Sequence, residues 1–196
     1  MKILAFSDIH CDLAAAEALV AAARDADLVI GAGDFAQRHE GLDKIMPALA
    51  GIGDKALYIP GNNETVEALR SATTARVIHG AAVEIGGLRI AGLGCAVPPL
   101  PPMPWGSYDM PEAQAAEILE QIGKADILVS HSPPHKVVDV HADLGSIGST
   151  AVRDWILKHS PALVLCGHIH DCWGQEAKLG ETRVMNLGPG VTWVEI

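Results

Sequence analysis

Five short polar segments interrupt this sequence, and each follows an apolar run of the kind that forms a buried strand. In chain order they are Asp8-Ile9-His10, Gly33-Asp34, Gly61-Asn62-Asn63-Glu64, His131 and Gly167-His168-Ile169-His170. In a parallel α/β sheet the carboxyl ends of the strands meet at one edge, where such sheets bind their ligands. The pattern therefore predicts that residues far apart in the chain form one site.

The first third of the chain alternates strand-like apolar runs with helical segments. Pro47 is expected to shorten the second helix, because proline removes a helix hydrogen bond. Strands and helices at such short spacing predict parallel βαβ units and an α/β fold. The expected strands cover 3–6, 28–30 and 57–59, and the expected helices cover 13–24, 42–50 and 64–70.

The pattern changes in the second half of the chain, where Gly86 and Gly87 separate two short strands and predict a hairpin. A proline-rich loop over 98–104 then runs on to Trp105 and Tyr108. This half is therefore predicted to contain a mixed sheet. Its expected helices cover 111–122 and 149–159, its expected strands cover 127–129 and 163–165, and two closing strands over 183–187 and 191–196 are joined through 188–190.

Size and charge narrow the range of functions. At 196 residues the chain suits one domain over 1–196 with a substantial core, and 49% apolar residues exclude a disordered protein. The net charge of −10 argues against extended nucleic-acid binding and against attachment to an anionic membrane. A small phosphorylated substrate is still compatible with this charge, because bound metal ions reverse the local field.

The cysteines and the N-terminal sequence are informative about the cellular compartment of the protein. The four cysteines show neither CxxC spacing nor the density of a disulfide framework. No secretory start is recognisable, and no apolar stretch approaches the ~18 residues of a membrane span. We therefore expect a cytoplasmic protein with reduced thiols.

Asp, Asn and His side chains together provide a mixed set of oxygen and nitrogen ligands. Such a set suits the divalent ions of Mn, Fe, Zn, Co or Ni better than Ca or Mg. One bridging carboxylate can hold two of these ions ~3.5–4 Å apart, the separation used in phosphoryl displacement. The glycines that precede Asp34, Asn62 and His168 are expected to allow sharp turns and to keep bulk away from the ions.

The five segments read Asp-x-His, Gly-Asp, Gly-Asn, a lone His and Gly-His-x-His. In this order they resemble the calcineurin-like metallophosphoesterase superfamily, and the likeness runs from residue 8 to about residue 190. The stretch Ser-His-Ser-Pro-Pro over 130–134 is similar to the small prokaryotic Icc-related phosphoesterases. The resemblance implies a four-layer α-β-β-α sandwich in which helices cover two facing mixed sheets.

The resemblance also implies a site for two divalent metal ions, of which manganese is the expected one, and attack on phosphorus by a hydroxide that bridges them. It places Asp8, His10, Asp34 and His170 on the first ion and Asp34, Asn62, His131 and His168 on the second. The catalytic residues that it implies are Asp34, Asn62, Asn63 and His168.

The implied function is hydrolysis of small phosphate esters, with phosphodiesters preferred and a nucleotide among the possible substrates. Two alternatives stay open. One is a phosphomonoesterase or nucleotidase. The other is a non-catalytic, metal-binding module for protein docking, the role that the retromer subunit of this fold has. The oligomeric state is not predicted.

The sequence departs from the family pattern at Asn63, where the family usually has a histidine thought to protonate the leaving group or to steady the phosphate. An amide donates hydrogen bonds but cannot release a proton, and a general acid typically contributes ~10²–10⁴-fold to the rate. We therefore expect activated diesters to react well and alkyl monoesters poorly. His135 and His141, in the loop after His131, are either substitute acids or loop histidines without a role.

Further side chains near the segments are candidates for ligand contact. Arg38 either donates to a substrate phosphate or is a solvated arginine at a helix start. Trp105 and Tyr108 either stack on a base, in a loop that serves as a lid, or pack on the sheet. Cys11 and Cys172 either contact a soft metal or are small buried hydrophobic residues.

Overall fold

The computed structural model describes all 196 residues and contains two large β-sheets. The first sheet has five strands, four of them parallel and one antiparallel at the edge. In spatial order they are Thr192–Glu195 (β13), Lys2–Phe6 (β1), Leu28–Gly31 (β2), Ala56–Tyr58 (β3) and Arg76–Val77 (β4).

The second sheet has six strands, with four parallel strands between two antiparallel edges. In spatial order they are Glu176–Leu179 (β11), Thr182–Asn186 (β12), Leu163–Cys166 (β10), Ile127–Ser130 (β7), Leu88–Leu93 (β6) and Ala81–Ile85 (β5). The pairing of β5 with β6 confirms the hairpin predicted at Gly86 and Gly87. A small antiparallel ribbon of Val140–His141 (β8) and Gly145–Ser146 (β9) lies in the loop after β7.

Helices cover the outer face of each sheet. Alternation along β1 shows the layering, because Leu4 and Phe6 pack towards the helices whereas Ile3 and Ala5 pack towards the second sheet. Three separate hydrophobic clusters therefore lie between four layers, which confirms the predicted α-β-β-α sandwich. The helices are Leu13–Ala22 (α1), Leu42–Leu49 (α2) and Val66–Ala72 (α3) on the first sheet, and Glu112–Ile122 (α4) and Thr150–His159 (α5) on the second.

Local chemistry explains where the first helices begin and end. The carboxylate of Asp12 accepts hydrogen bonds from two N–H groups in the first turn of α1 and caps it. Pro47 lies inside α2, which ends two residues later and continues as a 3-10 turn. The third helix begins at Val66 rather than at residue 64, because Thr65 is its cap, and Glu64 therefore lies outside the helix.

The two closing strands belong to different sheets. The segment after residue 182 forms β12 beside β10 in the second sheet, whereas β13 pairs with β1 in the first. The connection over 188–190 therefore crosses between the sheets, which the sequence did not reveal because strand pairing depends on distant partners. Strand β11 was not expected, because its residues alternate between exposed and half-buried positions and form no apolar run.

The topology carries the five polar segments to one edge of the sandwich. They follow β1, β2 and β3 in the first sheet and β7 and β10 in the second, each at the carboxyl end of a parallel strand. This confirms the arrangement predicted from the apolar runs. None of the helices is both long and apolar enough to cross a membrane.

Candidate metal centre

Six of the seven predicted metal ligands form two clusters at this edge. Asp8, His10 and His170 make up the first cluster, and within it the possible ligand atoms lie within 4.8 Å of one another. Asp34, His131 and His168 make up the second cluster with the same limit. Each cluster combines residues from both sheets, so the facing sheets build the site jointly.

Asp34 lies between the two clusters and faces each with a different oxygen. Its Oδ2 is 3.7 Å from His10 Nε2, and its Oδ1 is 3.5 Å from His131 Nε2. A carboxylate in this position can bind one cation through each oxygen. The seventh predicted ligand, Asn62, extends the second cluster, because its Oδ1 is 3.0 Å from His131 Nε2.

Backbone carbonyls set the orientation of two imidazoles. His131 Nδ1 is 2.8 Å from the carbonyl oxygen of Ala32, and His10 Nδ1 is 3.2 Å from that of Ala36. A carbonyl only accepts, so in the neutral ring Nδ1 carries the hydrogen and Nε2 presents a lone pair. His10 Nε2 in turn lies 3.2 Å from His170 Nε2. Lone pairs that converge on one another in this way fit a divalent cation between them.

The charges of the site also favour bound cations. Burial raises the pKa of Asp34 and Asp8, but the neighbouring histidines lower it more, so both carboxylates are ionised. Burial lowers the pKa of His131, but the Asp34 carboxylate raises it to about 9. Burial and then the charge of His131 lower the pKa of His168 to about 4, which leaves that ring neutral at neutral pH.

Several of the clustered residues adopt the left-handed backbone conformation that side chains rarely take. The φ angles are 53° for Asp8, 42° for His10, 57° for Asp34 and 68° for His168. Such conformations cost about 1–3 kcal/mol each and concentrate at functional sites, although Asp and His tolerate them better than most residues. Backbone hydrogen bonds hold them in place, for example from Asp8 N to the Gly33 oxygen at 2.9 Å.

Two of the glycines before the ligands are required by close approach. A side chain at Gly61 would collide with the Asp34 carboxylate, and a side chain at Gly167 would collide with the Asp8 carboxylate. Glycine was predicted at these positions to keep bulk away from the metal ions, and in the structure it makes room for the carboxylates of two candidate ligands.

Glu64 stabilises two of the turns that carry candidate ligands, a role that was not predicted from the sequence. Its Oε1 accepts hydrogen bonds from Asp34 N at 2.8 Å and Gly61 N at 2.7 Å, and its Oε2 accepts one from Ala36 N at 2.9 Å. Glu64 is fully buried, and burial together with the nearby Asp34 carboxylate raises its pKa to about 8. A single carboxyl group thus joins the turn that bears Asp34 to the turn that bears Asn62. The sequence signal was an acidic residue inside a polar turn that follows a buried strand.

An open cleft of about 270 Å³ lies over the two clusters. Besides the ligand candidates, it is lined by Gln37, Arg38, Asn63, Met103 and Trp105. Arg38 lies in the turn before α2 rather than at the helix start, because α2 begins at Leu42. Of the two aromatic candidates, Trp105 reaches the cleft, whereas the Tyr108 ring packs towards His79 and the core of the second sheet.

The histidines considered as substitute acids do not line this cleft. His135 Nδ1 lies 3.0 Å from Ser146 Oγ and 3.7 Å from Asp139 Oδ2. His141 Nδ1 accepts a hydrogen bond from Asp143 N. Both are therefore engaged within the loop that contains β8 and β9.

The two cysteines near the ligand segments belong to neither cluster. The Cys11 thiol donates to the carbonyl oxygens of Phe35 and Glu40, and the Cys172 thiol donates to that of Val140. Burial raises the pKa of both thiols, which disfavours the thiolate form that binds metals.

Solved structures with the same fold are numerous. TT1561 of Thermus thermophilus aligns with 98% of this chain and 97% of its own at a TM-score of 0.78 and 21% identity. A novel archaeal phosphodiesterase aligns with 96% of this chain and 84% of its own at a TM-score of 0.54 and 16% identity. A 5′-nucleotidase precursor, also from Thermus thermophilus, aligns with 97% of this chain and 49% of its own, at a TM-score of 0.54 and 14% identity. At these identities the likeness shows the fold alone.

Comparison of the sequence with known proteins gives one short match and one extensive one. A stretch of 73 residues is 33% identical to the probable rhamnogalacturonate lyase C of Emericella nidulans, but it covers 36% of this chain and 7% of that protein. The profile of the calcineurin-like phosphoesterases, by contrast, matches residues 1–172. The chain therefore belongs to the calcineurin-like phosphoesterase family.

Proposed function

We propose that this protein is a metal-dependent phosphodiesterase that holds two divalent ions side by side. The position of Asp34 carries the proposal, because its two carboxylate oxygens face separate clusters of imidazole nitrogens. The first ion would be held by Asp8, His10, Asp34 and His170, and the second by Asp34, Asn62, His131 and His168. The mixed oxygen and nitrogen donors suit manganese among other borderline divalent ions.

Two such ions would supply Lewis acidity and activate water near neutral pH. The chain's own residues supply orientation around them. Asn63 donates to both oxygens of Asp34, and the second hydrogen of its amide nitrogen points to no other acceptor in the chain. That hydrogen is available to a phosphate oxygen in the cleft.

The cleft itself favours diesters with good leaving groups. Of its non-ligand residues, none releases a proton near neutral pH, since they are two amides, an arginine, a methionine and a tryptophan. A leaving group must therefore depart without a proton from the protein. The cleft is also open rather than closed around a single phosphate, so a substituent on each side of the phosphorus can be accommodated.

Metal content and turnover, measured together, test this proposal. The purified protein should bind about two equivalents of manganese and hydrolyse bis(p-nitrophenyl) phosphate faster than p-nitrophenyl phosphate. Asp34→Asn should abolish both metal binding and turnover, whereas Asp25→Asn, at an exposed position before β2, should change neither.

Other outcomes would point to the alternative functions. A faster reaction with the monoester would indicate a phosphomonoesterase or nucleotidase. Stoichiometric metal without turnover of either ester would indicate a docking module that uses the metals structurally.

A further inference from the structure

Arg38 lies beside the metal centre without a partner. Arg89 and Arg183 form ion pairs with glutamates, whereas the other five arginines, Arg38 among them, have no side-chain partner in the chain. Of these five, only Arg38 lines the metal cleft. Its backbone is nevertheless fixed, because Arg38 N donates to Asn63 Oδ1 at 2.8 Å and the residue has a φ of 52°. A cation is thus presented to the cleft in a protein whose net charge is −10.

Trp105 lies next to Arg38, and His39 packs beside its indole ring. The rings of His39 and Trp105 have their centroids 5.5 Å apart, and His39 Nε2 is hydrogen-bonded to the carbonyl oxygen of Gly106. The indole lines the metal cleft and also a second, larger cavity of about 780 Å³, which Arg38 and Lys44 line as well. An aromatic surface and two cations therefore lie together on one side of the metal centre.

Because the cleft has no proton donor, only certain leaving groups can depart towards Arg38 and Trp105. An alkoxide needs a proton as it departs, and general acid catalysis is typically worth ~10²–10⁴-fold. A departing phosphate monoester needs none, because its second pKa is about 6. Arginine stabilises such an anion through two parallel hydrogen bonds.

We propose that Arg38 and Trp105 form a subsite for a nucleoside monophosphate leaving group, so that the substrates are nucleoside-containing pyrophosphate diesters. Arg38 binds the departing phosphate and Trp105 stacks on the base. The inference rests on the proposed phosphodiesterase function and narrows it to phosphoanhydride bonds.

The reaction balances without a further reactant. A water oxygen forms the new bond to the attacked phosphorus, and the bond from that phosphorus to the bridging oxygen breaks. The bridging oxygen keeps the electron pair and leaves as part of the nucleoside monophosphate, beside Arg38. The protons of the water pass to solvent, and the products are two phosphate monoesters.

Two dinucleosides with the same bases separate this inference from the proposed function. Diadenosine diphosphate contains the phosphoanhydride bond, whereas adenylyl-(3′,5′)-adenosine contains an alkyl phosphodiester. We expect kcat/KM to be at least about 100-fold higher for diadenosine diphosphate. Bis(p-nitrophenyl) phosphate serves as the reference substrate, because its leaving group needs neither Arg38 nor a proton.

Substitution of Arg38 tests its assignment to the leaving group. Arg38→Met should lower kcat/KM for diadenosine diphosphate by about 10- to 100-fold, which is a much larger loss than for bis(p-nitrophenyl) phosphate. The matched control is Arg24→Met, which removes the same charge from an exposed position before β2, at the opposite end of the strands. Equal losses on both substrates would place Arg38 on the attacked phosphate and overturn the subsite.

Binding of AMP gives a readout that does not depend on turnover. In calorimetric titrations of the manganese-loaded protein, Arg38→Met and Trp105→Leu should each weaken AMP binding, and Arg24→Met should not. Equal AMP affinity in all of these proteins would overturn the subsite.

The substrate comparison has two further outcomes against the inference. If bis(p-nitrophenyl) phosphate is hydrolysed but the two dinucleosides react alike, the subsite is wrong and the phosphodiesterase function stands. If no substrate reacts, both proposals fail.

Discussion

Asn63 donates to both carboxylate oxygens of Asp34, from its backbone N–H to Oδ1 at 2.8 Å and from its side-chain Nδ2 to Oδ2 at 2.7 Å. The carboxylate is therefore held with one oxygen towards each histidine cluster. Residues that orient a metal ligand in this way typically contribute about 10- to 100-fold to metal affinity.

Asn63→Ala should therefore weaken manganese binding by about 10- to 100-fold, because only the backbone hydrogen bond to Asp34 survives. Calorimetric titration with manganese measures the effect. The matched control is Gln114→Ala, which removes an amide from the exposed face of α4 and should not change the manganese affinity. Unchanged affinity in Asn63→Ala would show that Asp34 does not need this support.

The rate should depend steeply on the leaving group. With an amide at position 63 and no proton donor near neutral pH among the other non-ligand residues of the cleft, no residue there protonates the departing oxygen. A series of aryl methyl phosphates with phenols of rising pKa should show kcat/KM falling along the series. Rates that stay level across the phenols would mean that an unrecognised acid operates.

Removal of the Glu64 carboxyl group should destabilise the protein. Glu64→Ala leaves three buried backbone N–H groups without acceptors, and each such loss costs about 1–3 kcal/mol. We expect the free energy of unfolding to fall by about 3–5 kcal/mol in urea titrations. Glu67→Ala, one turn along and exposed, is the control and should change it little. A loss in Glu64→Ala no larger than in the control would contradict this structural role.

Manganese affinity should rise with pH. The Asp34 carboxylate raises the pKa of buried His131 to about 9, so in the metal-free protein this imidazole is protonated at neutral pH. A metal ion binds only the deprotonated nitrogen and must displace that proton. Because the proton is held below about pH 9 and lost above it, affinity should increase up to that pH and then level off.

Proton release on metal uptake checks this pH dependence directly. Calorimetric titrations with manganese in buffers of different ionisation enthalpy count the protons, and at neutral pH we expect release. Binding without release of any proton, and with the same affinity across the range, would exclude His131 as a ligand.

Much of the centre was predictable because its residues follow strands. Each buried apolar run ended in polar residues, and the carboxyl ends of parallel strands share an edge, so the convergence of Asp8, Asp34 and His168 followed from local pattern and sheet geometry. The βαβ units, the hairpin and the helices on the outer faces could also be predicted, because local sequence patterns indicate each of them.

What the sequence did not reveal depends on distant contacts. The separation of β12 and β13 into different sheets follows from pairing with β10 and β1 rather than from their own residues. Glu64 acts through three backbone groups that only the folded turns bring together. The choice between Trp105 and Tyr108 required the path of the proline-rich loop, which His39 and Gly106 fix.

The most direct test of the two-ion site is anomalous scattering from crystals of the manganese-loaded protein. We predict two peaks about 3.5–4 Å apart, one on each side of Asp34, with His10 and His170 at one and His131 and His168 at the other. A single peak, or peaks away from Asp34, would contradict it.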